Sequence, residues 1–328
     1  MSGTFDFISA LGPQIARYVD HMQALGRNFE IPRLHLALCD RFLAARGALD
    51  LTAEAFSDWC NSMTHLTANG RRMRLQSVHR FCRWRRRTEP SCFVPDPAHF
   101  PRRQPSPRPH IFSKAQIARL LRTAEAPRRG ASLLCRQVRR LAVVLLYTTG
   151  LRRGEILRLT LGDYDAGNRV LWIRETKFHK SRIIPLSEDG GRETDNFLAQ
   201  RGRAGLPSGV DDPLLLVRRG GEYRAYSAEG LRSSMRGLFL AAGVRTAAGR
   251  LPRMHDLRFT FAVHALSRWY RAGVDVQARL PALATYMGHA SVVSTQYYLS
   301  FLDAVTQEAS ERFERYCVGF LSGDGEDR

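Results

Sequence analysis

Four short segments of this chain concentrate residue types that can hold an anion, move a proton or act as a nucleophile. In chain order they are "TTGLRRGE", ending at Glu155, "ETKFHKSRIIPL", ending at Leu186, "RMHDLRFTFA", ending at Ala262, and "YMGHASVVSTQYY", ending at Tyr298. Arginine offers an anion a planar fork of donors, histidine and lysine can transfer protons, and a tyrosine hydroxyl can attack phosphorus. These segments can form one reactive site only if the fold brings them together.

Two of the segments hold an arginine three residues from a second polar group. Arg152 and Glu155 would share one face of a helix, where an ion pair would fix the guanidinium. His255 and Arg258 share a face in the same way, which suits a phosphate on which charge develops. An ordinary surface ion pair and a histidine packed in a core or interface are the alternatives.

The lysines are distinguished by their scarcity. Among 50 basic residues only three are lysine, namely Lys114, Lys177 and Lys180. Arginine stays protonated in proteins and cannot deliver a proton, whereas a lysine whose pKa is lowered can do so. A lysine at a turn between two strands is therefore a candidate general acid, with chance survival on an exposed loop as the alternative.

The last segment ends in two adjacent tyrosines, Tyr297 and Tyr298, a few residues after His289. An isolated tyrosine is usually a packing residue, because its ring buries well and its hydroxyl needs only one partner. Residue types alone do not decide whether either tyrosine takes part in chemistry.

The formal net charge of +19 favours a polyanionic partner, of which nucleic acid is the commonest for a protein of this composition. Both halves of the chain carry an excess of positive charge. A solvated basic surface without a specific partner is the alternative. The length of 328 residues fits two domains of ordinary size.

The sequence gives no indication of a metal, cofactor or membrane. The six cysteines are scattered, form no C-x-x-C pair and are typical of reduced thiols in a cytoplasmic protein. Cys92, His99 and His110 match no common zinc spacing. The sequence also contains no apolar stretch long enough to cross a bilayer and no secretory signal.

The first region, residues 1–94, is predicted to be all helical, and residues 95–110 are predicted to form a basic, proline-rich linker. The segment "NGRRMRLQSVHRFCRWRRR" is amphipathic and predicts a helix lying along phosphates, or else a basic face over a small helical core. The candidate DNA contacts in the helix and linker are Arg71, Arg72, Arg74, Arg80, Arg83, Arg102 and Arg103.

The second region, residues 111–321, is predicted to be mainly α with a small antiparallel β-sheet. Ser113 and Gln116 fit a capping box at its first helix. The segments "NRVLWIRET" and "SRIIPLS" alternate apolar and polar residues as strands do, and "KFHK" would connect them. Residues 322–328 form a short acidic stretch that is predicted to be loose.

Taken in order, these motifs resemble those of the tyrosine site-specific recombinases, the phage integrase family. The resemblance covers residues 112–321, and Phe259 and Met287 depart from it by replacing a usual histidine and a usual leucine. The patterns are G-L-R-x-x-E at 150–155, K-x-x-K-x-R-x-x-P-L at 177–186, H-x-L-R-H-[ST]-x-A at 255–262, L-G-H at 287–289, and a tyrosine nine residues after that histidine.

The resemblance selects Tyr298 as the nucleophile, because it follows His289 by nine residues, and it leaves Tyr297 to pack elsewhere. It implies that a 3′-phosphotyrosyl link forms on DNA and that neither metal nor cofactor is required. The implied roles are phosphate clamps for Arg152 and Arg258, a further phosphate hydrogen bond from His289, a general base for His255, a general acid for Lys177 and orientation of neighbours for Glu155.

The resemblance also implies partners. They are double-stranded DNA, held in a C-shaped two-domain clamp, and three further copies of the chain in a tetramer at synapsis. The last helix, "AVTQEASERFERYCVGF", would dock on a neighbouring protomer or pack on its own domain. A monomer in free solution and a need for accessory recombinases or host factors stay open. The expected location is cytoplasmic and associated with the nucleoid.

Three other functions are compatible with parts of this pattern. A type IB topoisomerase uses the same chemistry without joining two sites, and a catalytically silent regulator would keep only the DNA-binding fold. A basic helical RNA-binding protein would not need Tyr298. The sequence does not specify the target site, nor whether the reaction is integration, excision, resolution or transposition.

Overall fold

The computed structural model describes residues 7–27, 29–105, 107–127, 133–174, 181–289, 291 and 293–301. It divides between Pro107 and Arg108 into two compact units. Lys177 and Lys180 lie outside the described residues, as do the predicted last helix and the tail. Among the described helices, none combines the length and the apolar character needed to cross a membrane.

In the described part of residues 1–94 the regular elements are all helices, as predicted. They are α1 (Gly12–Ala24), α2 (Glu30–Ala45), α3 (Ala53–Ser62) and α4 (Ala68–Arg85). Threonine side chains cap two of them, because Thr52 accepts from the Ala55 amide and Thr67 from the Gly70 amide. The aromatic side chains of the helices meet around Tyr18, which is 2% exposed.

The segment predicted to be a linker over residues 95–110 has a different structure in its first part. It is extended apart from one turn of 3₁₀-helix at Pro97–His99, and Phe100 is buried in the core of the first unit. Side chains of α4 bond its main chain, with His79 to the Pro95 carbonyl (2.8 Å), Arg72 to the Pro101 carbonyl (3.0 Å) and Asn69 to the Gln104 carbonyl (2.9 Å). Residues up to Gln104 are therefore part of the first unit.

The second unit contains eight α-helices among the described residues. They are α5 (Lys114–Glu125), α6 (Leu133–Thr149), α7 (Arg153–Arg158), α8 (Glu188–Arg203), α9 (Ala228–Ala241), α10 (Met254–Arg271), α11 (Val276–Met287) and α12 (Val293–Gln296), and a 3₁₀-helix follows at Tyr297–Phe301. The predicted capping box at Ser113 and Gln116 is present at the start of α5. Helix α6 is buried along most of its length and contacts α5, α8, α9 and α10, so it is the centre of this unit.

The unit also contains two small antiparallel sheets. Strands β1 (Tyr164–Asp165), β2 (Val170–Ile173) and β3 (Arg182–Pro185) form one sheet in that order, and β4 (Leu216–Arg219) and β5 (Glu222–Ala225) form the other. Strands β2 and β3 confirm the predicted pair, with Leu171 opposite Ile184 and both buried. The β4–β5 hairpin was not predicted. The mainly helical fold with a small antiparallel sheet is confirmed.

Candidate active site

The turn between α6 and α7 positions Arg152. Gly150 ends α6 with a positive φ of 64°, and a Cβ atom there would lie 2.6 Å from the ring of Phe261. Both features require glycine. Arg152 then starts α7, and its amide donates to Glu155 Oε2 (2.9 Å) while its Nη1 donates to Glu155 Oε1 (2.8 Å). The predicted pairing of Arg152 with Glu155 is therefore present.

Glu155 is shared by a second arginine that the sequence reasoning did not single out. Arg182 donates through Nη1 to Oε1 (3.1 Å) and through Nη2 to Oε2 (2.9 Å) of the same carboxylate. Glu155 is only 3% exposed, and burial alone would raise its pKa. The hydrogen bonds and charges of Arg182 and Arg152 outweigh that effect and lower the pKa of Glu155 to about 2. The carboxylate is therefore ionised at every working pH.

Arg258 lies on α10 and is 1% exposed. Its guanidinium donates to the carbonyls of Gly150 and Met287, the latter at 2.8 Å, and to His289 Nε2 at 2.7 Å. Arg152 similarly donates to the carbonyl of Gly288 (2.6 Å). The three arginines 152, 182 and 258 with Glu155 are called the arginine cluster below. It joins the α6–α7 turn, the start of β3, α10 and the end of α11.

The hydrogen bonds of His289 define its tautomer. Since arginine can only donate, His289 Nε2 accepts from Arg258, so Nδ1 carries the proton and donates to Thr295 Oγ1 (2.7 Å). Burial, followed by the positive charges of Arg258, Arg152 and Arg182, lowers the pKa of His289 to about 4. The ring is therefore neutral near pH 7.

The adjacent tyrosines Tyr297 and Tyr298 have different environments. Tyr298 is 3% exposed, whereas Tyr297 is 52% exposed. The Tyr298 ring stacks on His289 with centroids 5.9 Å apart and meets Phe259 edge to face at 5.0 Å. Burial raises the pKa of Tyr298, while the charge and hydrogen bond of Arg258 act in the opposite direction. Of the two tyrosines, Tyr298 is therefore the one that lies beside the arginine cluster.

His255 lies one aromatic ring away from Tyr298. The Phe259 ring contacts both, since its centroid lies 5.2 Å from His255 and 5.0 Å from Tyr298. His255 is exposed at the surface, and partial loss of hydration together with the charge of Arg258 lowers its pKa. Phe259, which stands where the family usually has histidine, thus connects the candidate base to the candidate nucleophile through apolar contacts.

Lys177, the candidate acid, lies outside the described residues, but the strands that lead to and from it are described. Arg174 follows β2 and pairs with Asp163 (2.7 Å), while Arg182 begins β3 and joins the arginine cluster. Among the described residues, no group of three His, Cys, Asp or Glu side chains is arranged to bind a metal ion.

The predicted DNA contacts of α4 do not share one face. At about 100° per residue, Arg80 and Arg83 lie opposite the buried side of the helix, and both are exposed. Arg71 and Arg74 lie on the buried side, and Arg72 is used in bonding the Pro101 carbonyl. Arg102 and Arg103, in the segment after α4, are exposed. The structure therefore leaves four of the seven candidates open to a partner.

Comparisons with known proteins agree with these features. The Phage integrase family model matches residues 111–304. The putative integrase/recombinase y4rB of Sinorhizobium fredii is 31% identical over 319 residues, which cover 94% of this chain and 98% of the relative. The tyrosine recombinase XerC of Chromobacterium violaceum is 26% identical over 292 residues, which cover 87% of this chain and 88% of the relative.

Among solved structures, the Tn1549 transposon integrase in complex with transposon right end DNA has the same fold, with a TM-score of 0.62 at 18% sequence identity. The match covers 89% of this chain and 94% of that one. Because the family model spans most of the second unit and a relative matches nearly the whole chain, this protein belongs to the phage integrase family, the tyrosine recombinases.

Proposed function

We propose that this protein is a site-specific DNA recombinase that cuts and rejoins strands through a 3′-phosphotyrosyl intermediate. The observation that carries the proposal is the position of Tyr298. Its ring is buried against His289, and its hydroxyl interacts with Arg258, which shares the arginine cluster with Arg152. A nucleophile beside cationic donors is the arrangement that transfer of an anionic phosphoryl group requires.

In the proposed step the Tyr298 hydroxyl oxygen attacks phosphorus. The new bond joins phosphorus to the phenolic oxygen, and the bond to the 5′-oxygen of the next nucleotide breaks, leaving a 3′-phosphotyrosyl link and a free 5′-hydroxyl. Arg152 and Arg258 hold the non-bridging oxygens with donors not used by main-chain carbonyls. Because the link conserves bond energy, a 5′-hydroxyl from a partner duplex can reverse the step, which exchanges strands.

Proton transfer in this scheme is assigned to two residues, and a third, His289, gives the phosphate a hydrogen bond. His255 accepts the phenolic proton, and Lys177 protonates the departing 5′-oxygen. His289 Nε2 accepts from Arg258 in the free protein, so its hydrogen bond to the phosphate requires a proton on that nitrogen. The negative charge of a bound phosphodiester favours that protonation, because it offsets the cations that lower the pKa of His289.

The charge of the phosphate is handled by guanidinium groups, and we propose that no metal ion takes part. Three arginines face one carboxylate in the arginine cluster, so the site carries an excess of positive charge before DNA binds. Glu155 does not contact DNA in this scheme and acts by orienting Arg152. The cationic excess supplies the electrostatic stabilisation that a divalent ion would otherwise provide.

We propose that residues 1–94, together with the segment that packs on them up to Gln104, form a core-binding domain, with Arg80, Arg83, Arg102 and Arg103 facing the DNA backbone. The catalytic domain of residues 111–321 would close a clamp with it around the duplex, and four protomers would assemble at synapsis. The Tn1549 integrase was solved with DNA, which supports DNA as the partner. Association with the nucleoid follows from that partner.

A suicide duplex with a nick beside the cleavage site tests the chemistry, because the released fragment diffuses away and traps the covalent link. We expect an adduct with the wild type and with Tyr297→Phe, none with Tyr298→Phe, and no effect of a chelator. An adduct with Tyr298→Phe would refute the nucleophile, and loss of the adduct on chelation would refute metal independence.

Two rival functions are separated by assays on the wild type. A topoisomerase of type IB would relax supercoils without joining two sites, so a two-site recombination assay run beside a relaxation assay distinguishes it. The full-length relatives bear the names of integrases and recombinases, which does not favour that rival. A silent regulator would bind DNA and give no adduct with any variant.

A further inference from the structure

Arg182 connects three elements that the proposed reaction needs in register. Its Nη1 and Nη2 donate to the two oxygens of Glu155 on α7, and its Nε donates to the carbonyl of Tyr286 on α11 (2.9 Å). The Arg182 side chain is only 10% exposed, so solvent does little to weaken these bonds. Arg182 itself begins β3, the strand that follows the segment containing Lys177.

A second hydrogen bond ties the other end of β3 to α11. The Tyr286 hydroxyl donates to the carbonyl of Pro185 (3.1 Å), so a single residue of α11 bonds the first and the last residue of this strand. The strand cannot slide along α11 without breaking both bonds. The strand that borders the Lys177 segment is therefore fixed to the helix whose end carries His289.

Gly288 leaves the space that Arg182 occupies. It ends α11 with a positive φ of 67°, and a Cβ atom there would lie 2.6 Å from Arg182 Nη1 and 3.2 Å from Arg152 Nη1. The two guanidinium groups therefore pack directly over the glycine. The Gly-His pair of the last motif is thus explained by the arginines as well as by the turn.

We propose that Arg182 is a positioning residue, which orients Arg152 through Glu155 and holds β3, the strand that follows the Lys177 segment, in register with the end of α11 that leads to His289. The inference rests on the proposed function. Glu155 is buried and accepts four hydrogen bonds, two from Arg182 and two from Arg152. Without Arg182, half of these are lost, and the carboxylate must turn or take up a proton. Either change releases Arg152 from its present orientation.

The test compares two arginines that flank the same segment. Arg182→Lys keeps the charge but loses the fork, and Arg182→Gln removes both. Arg174→Gln is the matched control, because Arg174 follows β2, is 69% exposed and pairs with Asp163 outside the cluster. Each variant is made in the full chain, and single-turnover adduct formation on the suicide duplex is measured together with DNA affinity.

We expect Arg182→Lys to slow adduct formation by about tenfold or more while DNA affinity stays near the wild-type value, since small misplacements of a catalytic group cost rate rather than binding. Arg174→Gln should behave as the wild type. The acid limb of the pH–rate profile should lie at higher pH in Arg182→Gln than in the wild type, because Glu155 then loses one of the cations that keep it ionised throughout the working range.

Three results would overturn the positioning role. They are wild-type rates in both Arg182 variants, equal losses in Arg174→Gln and Arg182→Gln, and an acid limb that does not move. If Arg182→Gln fails to fold, Arg182→Lys measured beside Arg174→Gln carries the test. Absence of an adduct with the wild type would instead refute the proposed function, so the two failures are distinguishable.

Discussion

Arginine is used in two contrasting ways in the two units of this protein. In the arginine cluster of the second unit, Arg258 and Arg182 are almost completely buried, and their donors bond main-chain carbonyls, a carboxylate and a histidine. On α4 of the first unit, Arg80 and Arg83 are exposed on the side opposite the core. The same side chain therefore serves as a fixed, buried group in the arginine cluster and as a hydrated surface charge on the exposed face of α4.

The comparison shows why net charge alone says little about a site. A buried guanidinium needs every donor matched, because unmatched buried charge is expensive, and the resulting geometry is rigid. An exposed guanidinium keeps its water and its freedom, so it attracts DNA at long range without defining a position. Chemistry should therefore depend sharply on the cluster, while affinity should depend gradually on α4.

The largest expected effect comes from Arg258→Lys. A lysine keeps one positive charge but cannot bond the Gly150 and Met287 carbonyls and His289 together while also contacting a phosphate. We expect adduct formation to fall by about 10²–10³-fold, as when a fixed donor to a developing anion is lost. The measurement is single-turnover cleavage of the suicide duplex, with Arg80→Lys as control; similar losses in both would contradict the contrast between the units.

A smaller effect is expected from Phe259→Ala. The variant loses the ring contacts with His255 and Tyr298, each worth about 0.5–1.5 kcal/mol. Without these contacts the rings of His255 and Tyr298 are held less firmly, which should slow adduct formation by about tenfold at unchanged DNA affinity.

The control for Phe259→Ala is Phe301→Ala. The Phe301 ring contacts the rings of Phe259 and Tyr297. Its loss should leave the rate close to that of the wild type, and an equal loss in both variants would mean that Phe259 contributes only general packing.

Local spacing predicted part of this site, and the contacts that cross the fold were not predictable from it. Arg152 and Glu155 lie three residues apart, and the cap at the start of α7 brings them together, so the pairing follows from local structure. Arg182 lies 27 residues from Glu155, and its role depends on how β3 packs on α7 and α11. The motif contained Arg182 but gave no reason to pair it with Glu155.

The β4–β5 hairpin was not predicted for a different reason. Gly220 and Gly221 have positive φ values of 59° and 86° and form a two-residue turn, a signal that the sequence does contain. All four residues of strand β5 are exposed, so the strand has no buried apolar face to mark it in the sequence. By contrast, all four residues of β2 are apolar and two of them, Leu171 and Ile173, are buried, and this strand was predicted.

Acid should weaken the second unit through His289. Its folded pKa of about 4 lies below the ordinary value of 6.5, so between these values the unfolded chain binds a proton that the folded chain does not. The contribution of His289 to the free energy of unfolding is therefore fully present above pH 6.5. It is lost as the pH drops towards 4, which lowers the free energy of unfolding by roughly 1–3 kcal/mol. Hydrogen exchange of α10 and α11 in the full chain measures this.

His289→Gln keeps an acceptor for Arg258 and a donor for Thr295 but does not titrate. We expect it to reduce the acid dependence of exchange in α10 and α11 and to leave the part that comes from the lowered pKa values of His255 and His264 on α10. His99→Gln is the control, because the His99 side chain is 86% exposed in the first unit. If the acid dependence of hydrogen exchange is as large in His289→Gln as in the wild type, the effect belongs to another group.

The smallest effect on chemistry is expected from the double variant Arg80→Gln with Arg83→Gln. If each side chain neutralises one phosphate, the slope of log affinity against log salt should become shallower by about 2, while cleavage at saturating DNA stays unchanged. Arg46→Gln is the matched control, because Arg46 is also exposed in the first unit but is paired with Asp58 (2.5 Å). An unchanged slope in the double variant would remove α4 from the DNA interface, and a loss of cleavage at saturation would show that its arginines act on the chemistry as well as on affinity.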